Sequence, residues 1–196
     1  TRIDRIFGGC DNAKMTGNTA VNINMVKGSK AGDAFTRLVS YTGDPIPNIQ
    51  ENVIDDAIGT IGFVYGGGNQ GDVEGNTTVN IGTEVDVTFV NTPAHLTPNG
   101  SGKYNVLGAH IYGDVFGGGN EGDVTGNTTV SIGTADYSGT ANFEGIFIDK
   151  DASGKGGSVY GGGNQADVLG NTSVTMSDGY IFNGIFGGGL VGSVGT

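Results

Sequence analysis

A glycine-rich phrase returns several times along this 196-residue chain, and its return limits the fold more than any other feature. One copy opens Val64-Tyr65-Gly66-Gly67-Gly68-Asn69 and closes Gly75-Asn76-Thr77-Thr78-Val79-Asn80-Ile81. Full units span residues 6–23, 64–81, 115–132 and 159–176, and a partial fifth spans 185–196. The aromatic position of the phrase is Phe7, Tyr65, Phe116, Tyr160 and Phe186, at separations of 58, 51, 44 and 26 residues. The shortest separation is the bare unit, and the others carry about 32, 25 and 18 further residues between units. Self-similarity of this kind is the signature of stacked, quasi-one-dimensional architectures whose insertions leave on one side.

Within a unit the hydrophobic period is two. Thr78-Val79-Asn80-Ile81 alternates polar with apolar, as do residues 129–132 and 173–176, which predicts a half-buried strand with Val79, Val130 and Val174 inward. Val73, Val124 and Val168 form a second apolar column, continued by Met15 and Val194. Ile6, Val64, Val115, Val159 and Ile185 form a third. Three short apolar segments per turn, parted by Gly and Asn, predict an all-β, three-sided parallel β-solenoid over residues 1–196 as a single domain. Glycine at the corners is expected to supply positive φ. In the insertions, residues 85–90 and 143–148 read as strands, either extra coils or side hairpins.

Composition removes several alternatives. The 40 glycines cluster instead of falling at every third place, which excludes collagen. Disorder is disfavoured because Val, Ile, Phe and Tyr return at fixed positions between them. A net charge of −11 argues against a nucleic-acid partner. It suits a solvated surface or weak cation binding. No apolar run reaches membrane-spanning length, so no membrane insertion is expected, and no stretch of these residues reads as a signal peptide. The chain opens inside a unit, which reads as a segment of a longer protein. Cys10 has no partner for an internal disulfide and stands at a third-glycine place, as a small buried residue.

The phrase V-[YF]-G-G-G-N-x-[GA]-D-V-x-G-N-T-[TS]-V, beginning at Val64, Val115 and Val159, resembles glycine-rich repeats of large surface proteins from gut Bacteroidota. It is also similar to the right-handed parallel β-helices of bacterial adhesins and pectin-lyase-like proteins. The resemblance covers the units and not the insertions. It implies a right-handed β-helix and an extracellular, cell-surface, adhesin-like role, and it carries over no catalytic residue.

Four groups of residues are candidates for more than folding. Asn18, Asn76, Asn127 and Asn171 form a column in which three members are glycosylation sequons, but stacked side chains bonded to one another are the better expectation. Asn69, Asn120 and Asn164 receive the same reading. Asp72, Asp123 and Asp167 share one position, and calcium would bridge such stacked carboxylates. Lys14 and Ser193 break that column, so a solvated acidic edge is the plainer reading and no other cofactor is expected. Phe7, Tyr65, Phe116, Tyr160 and Phe186 should project opposite the aliphatic column, packed under insertions or exposed for stacking on sugar rings.

An enzyme is the rival class, with Glu51, Asp55, Asp56, Asp149 and Asp151 as its acids. Those acids lie in loop-like insertions, and His95 and His110 lack nucleophile or metal-ligand partners at motif spacing, so no catalytic residue is assigned. The sequence thus predicts a structural stalk or adhesin segment with surface glycans or proteins as partners. A carbohydrate-binding or carbohydrate-cleaving β-helix and an end-to-end fibre subunit are the rivals.

Overall fold

The structure, a computed structural model, describes residues 2–23, 25–26, 38–43, 46–52, 60–82, 106–107, 110–133, 146–177 and 179–195. The first repeat contributes β1 (Arg2–Phe7), β2 (Met15–Thr16) and β3 (Thr19–Ile23). The insertion behind it carries β4 (Met25–Val26), β5 (Leu38–Gly43) and β6 (Ile46–Asn52). The second repeat holds β7 (Thr60–Tyr65), β8 (Val73–Glu74) and β9 (Thr77–Ile81), and its insertion β10 (Val106–Leu107). Then follow β11 (His110–Ile111), β12 (Val115–Phe116) and β13 (Thr128–Ile132) of the third repeat. The fourth has β14 (Phe147–Ile148), β15 (Ser158–Tyr160) and β16 (Thr172–Met176), and the fifth β17 (Tyr180–Ile181) and β18 (Gly184–Phe186). No helix occurs among the described residues.

The repeats stack as three sets of parallel strands. The first sheet joins β1, β7, β11, β12, β14, β15, β17 and β18, all parallel. A second ladder pairs β2 with β8 and continues through single bridges from Val73 to Val124, Val168 and Val194. The third is the in-register sheet β3-β9-β13-β16, where Val21, Val79, Val130 and Val174 are successive partners. Among the described residues, non-parallel pairing is confined to the insertions, where β5 and β6 form a hairpin and β4 pairs with β10, and to a Lys150–Gly156 bridge. Residues 85–90 lie outside the described residues. Of 143–148, Phe147 and Ile148 form β14, a strand of the first sheet and not a side hairpin.

Apolar columns from the first and third sheets meet in one core. Val64, Val115, Val159, Val79, Ile81 and Val130 are all 0 % exposed, and Val174 packs against them from the last strand of the third sheet. Val73, Val124 and Val168 make a separate cluster. Each buried Val or Ile is worth about 1.5–3 kcal/mol relative to exposure. Stacking is what buries them, because a single repeat is too thin to have an inside.

The glycines of the triplets serve close approach and not backbone handedness, which corrects the expectation of positive φ at those corners. Positive φ occurs at Gly17, Gly82 and Gly133, among others, but at no triplet glycine described. A Cβ on Gly161 would lie 2.5 Å from the Gly187 carbonyl oxygen, and one on Gly118 would lie 2.8 Å from Gly163 N. Gly8, Gly66 and Gly117 press against the same carbonyl of the next repeat. A side chain at any of them forces two repeats apart. Gly117→Ala should therefore cost more than about 2 kcal/mol in urea unfolding, the range of overpacked sites. Gly154→Ala, where φ is +84° and the space is open, should cost about 1 kcal/mol from backbone strain alone.

Candidate functional site

Two features of the first sheet are candidates for function: a column of rings and a cleft lined in part by Phe63. Because side chains alternate along a strand, turning Val64 inward turns Tyr65 outward, and every repeat does the same. Phe7, Tyr65, Phe116, Tyr160 and Phe186 stack with centroids 4.8, 5.0, 5.0 and 5.0 Å apart and planes within 14° of parallel. Phe63 joins at 6.4 Å from Tyr65. Tyr65, Phe116 and Tyr160 are 4 %, 1 % and 9 % exposed, whereas Phe186 is 48 % exposed. Each inner ring spends both faces on its neighbours, so a sugar finds no open face on them. Burial pushes the Tyr65 hydroxyl above its ordinary pKa, with Arg5 opposing and Asp114 adding to the shift.

The polar columns are engaged in stacking. In the Asn18 column each side chain accepts a hydrogen bond from the backbone of the next repeat. Asn76 N donates to Asn18 Oδ1 (2.9 Å), Asn127 N to Asn76 Oδ1 (2.8 Å) and Asn171 N to Asn127 Oδ1 (2.8 Å). This differs from the expected side-chain ladder, because the backbone N–H following the corner glycine points at the carboxamide below. Side-chain bonding occurs in the other column, where Asn120 Nδ2 donates to Asn69 Oδ1 and Asn164 Nδ2 to Asn120 Oδ1, both at 2.9 Å. Asn69 Nδ2 donates to Asp11 Oδ1 (2.7 Å), so the column starts on a carboxylate, an acceptor that needs no donor beneath it.

The Asp column follows the first scheme. Asp123 N donates to Asp72 Oδ1 (3.0 Å), Asp167 N to Asp123 Oδ1 (2.8 Å) and Ser193 N to Asp167 Oδ1 (2.7 Å). A backbone N–H thus faces each carboxylate, which eases their mutual repulsion. Among the described residues no group of three or more His, Cys, Asp or Glu side chains converges as a metal site. At the position of Lys14, an ion pair to Glu74 forms on the open surface, which holds the Glu74 carboxyl below its ordinary pKa.

Threonine adds a link that the alternation pattern did not reveal. Thr19, Thr77, Thr128 and Thr172 donate through Oγ1 to the carbonyl oxygens of Gly66, Gly117, Gly161 and Gly187, each at 2.5 Å. These bonds tie the third sheet of one repeat to the glycine corner of the next.

Below the ring column lies a cleft of about 940 Å³ that crosses four repeats. Asp4 and Arg5 come from β1, Ile61, Gly62 and Phe63 from β7, and Tyr112 from the residue after β11. Asp151, Ala152 and Ser153 form its wall, at the tip of a loop inserted between β14 and β15. The loop is pinned from inside: Asp151 Oδ1 accepts from Ser153 N (2.8 Å), Ser153 Oγ (2.6 Å) and Lys155 N (3.0 Å). Those bonds hold the Asp151 carboxyl below the usual carboxylate range. Lys150 Nζ lies 4.2 Å from the Phe182 ring, fastening the loop to the fifth repeat.

Of the acids weighed for catalysis, Asp149 is 7 % exposed and accepts from Lys150 N (2.7 Å), a local turn contact. Glu51 lies in β6 and His110 in β11, while Asp55, Asp56 and His95 lie outside the described residues. No protein-family model, curated protein or solved structure matches the chain.

Two outcomes follow from this geometry. Phe116→Ala should cost about 3–5 kcal/mol by thermal unfolding, and Phe186→Ala under about 1 kcal/mol, because only the first opens a cavity. The half-buried Asp114 accepts from Ser158 N (2.9 Å), and burial raises its pKa above the ordinary value. A raised carboxyl pKa favours folding below the unfolded pKa, and that advantage is lost as pH rises through the folded value. Asp114→Asn keeps the acceptor without the charge. It should unfold at higher urea than the parent at neutral pH, and the gap should close under acid conditions where Asp114 is protonated.

Proposed function

We propose that this chain is a structural, adhesin-like segment of an extracellular bacterial surface protein. In this reading residues 1–196 form one right-handed parallel β-helix that serves as stalk or interaction surface, without enzymatic activity. The observation that carries the reading is the use of the motif's polar groups. Asn, Asp and Thr of each unit bond to the neighbouring unit, so the recurring polar chemistry of the phrase is spent on cohesion along the stack. Parallel pairing through successive repeats supports the β-helix, and the resemblance to surface-protein repeats supports the location. The acidic surface suits solvation outside a cell and keeps like chains apart.

Antibodies raised against the chain should label intact, unpermeabilised cells of the organism that makes it. The purified chain should release no reducing ends from acidic or neutral polysaccharides. Labelling that appears only after permeabilisation, or turnover of any polysaccharide, overturns the proposal.

A further inference from the structure

Three solvent-facing places of the phrase change character in the last two repeats. Val191 N donates to the Asn164 carbonyl (2.8 Å) as Gln165 N does to Asn120 and Glu121 N to Asn69, so Val191 stands where earlier repeats carry Gln or Glu. By the same pairing Leu190 takes the place of Asn120 and Asn164, and Leu169 that of Thr125. Gln70, Glu121, Gln165 and Thr125 are exposed although repeats lie on both sides of them. These places therefore face water anywhere in the stack, and Val191 (74 %) and Leu169 (43 %) are exposed because of where the phrase puts them. Leu190, 50 % exposed, ends the carboxamide column, since it brings no donor to Asn164 Oδ1.

Apolar side chains scattered singly over a surface are ordinary. Here they coincide with a second change: residues 179–196 contain no Asp, Glu, Lys, Arg or His, in a chain of net charge −11. Ile185, Phe186 and Val194 of the same repeat are exposed as well. Apolar surface without charge is the composition of an interface centre. The first repeat is the opposite. Asp4, Arg5, Asp11 and Lys14 are exposed there, and Val21 and Ile23 of its third-sheet strand are buried, whereas Met176 of the matching strand in the fourth repeat is exposed. A head-to-tail contact would strip water from those charges and set Leu190 and Val191 against Asp11 and Asn12, their counterparts in the phrase. An uncharged apolar surface is matched by itself, and two chains of like charge approach with least repulsion where neither carries any. We propose that this chain forms a two-fold dimer, fifth repeat to fifth repeat, with Leu190 and Val191 at its centre. A two-fold contact closes after two copies, so the assembly is a dimer and not a fibre. The proposal goes beyond the stalk reading and does not depend on it.

Sedimentation equilibrium of residues 1–196 should show a reversible monomer–dimer equilibrium that tightens at high salt, where the repulsion between like chains is screened. Leu190→Asn combined with Val191→Gln restores the pair that the second and fourth repeats carry. It should weaken the dimer by about tenfold or more with unchanged circular dichroism, the scale of losing an interface centre. Val191→Asp alone, at an exposed site, should do the same. In a Cys10→Ser background, a spin label attached through Ser173→Cys on the fourth repeat should report a short distance between copies. A label attached through Ala20→Cys on the first repeat should report none. A chain that stays monomeric up to its solubility limit overturns the proposal. So do assemblies beyond two copies, a dimer loosened by salt, a short distance from the Ala20→Cys label, or a dimer that survives both sets of substitutions.

Discussion

Everything in this molecule depends on how closely one repeat can sit on the next. The backbone hydrogen bonds between repeats, such as Gly66 N to the Phe116 carbonyl at 2.9 Å, require the glycine corners to approach without side chains between them. Once that distance is set, each column falls into register by itself. Valine lies over valine, ring over ring, and the oxygens of the Asn18 and Asp72 columns lie under backbone N–H groups. Burial of the core is then a consequence of the stacking, because the apolar columns of the first and third sheets become continuous only when the repeats touch.

The same constraint explains why the outer rings stack in a regular column although they lie on the far side of the strand from the core. Rings attached to strands about 4.8 Å apart can pack face to face with little adjustment, and the 5.0 Å centroid distances reflect the strand spacing. A second packed layer thus forms outside the first sheet. The cleft opens where this layer stops, at Phe63, and where the strand of the first two repeats is broken in the later ones around Tyr112.

Much of the fold was legible in the sequence. The columns through Val79, Val130 and Val174 and through Val73, Val124 and Val168 stand at fixed offsets from the glycine triplets, and both appear as parallel partners. The early part of the first sheet was not legible. It forms a column of its own, Ile61 over Ile111 over Ile148 over Ile181, with Ile3 beside Ile61. Its distance to the following Val or Ile changes from three residues to four and then to eleven, so no fixed spacing announces it. Glycine's role was misjudged for a different reason: a need for left-handed backbone and a need for close approach leave the same residue in the sequence. The cleft was invisible because its residues come from four repeats and share no motif.

Each column of side-chain bonds between repeats keeps one direction along the stack. A threonine reaches forward to the next glycine corner, and a backbone N–H reaches back to the preceding carboxamide or carboxylate. The surface a repeat presents on one side therefore complements the surface it presents on the other. Such a chain can change length by duplication or excision of whole units, since the two faces brought together at the new junction already match. Loss of a single residue inside a unit has no such remedy, for it shifts every column beyond it to the wrong side of the strand. Selection on a gene of this kind would tolerate changes in unit number and in the loops between units far more readily than small deletions within the glycine phrase.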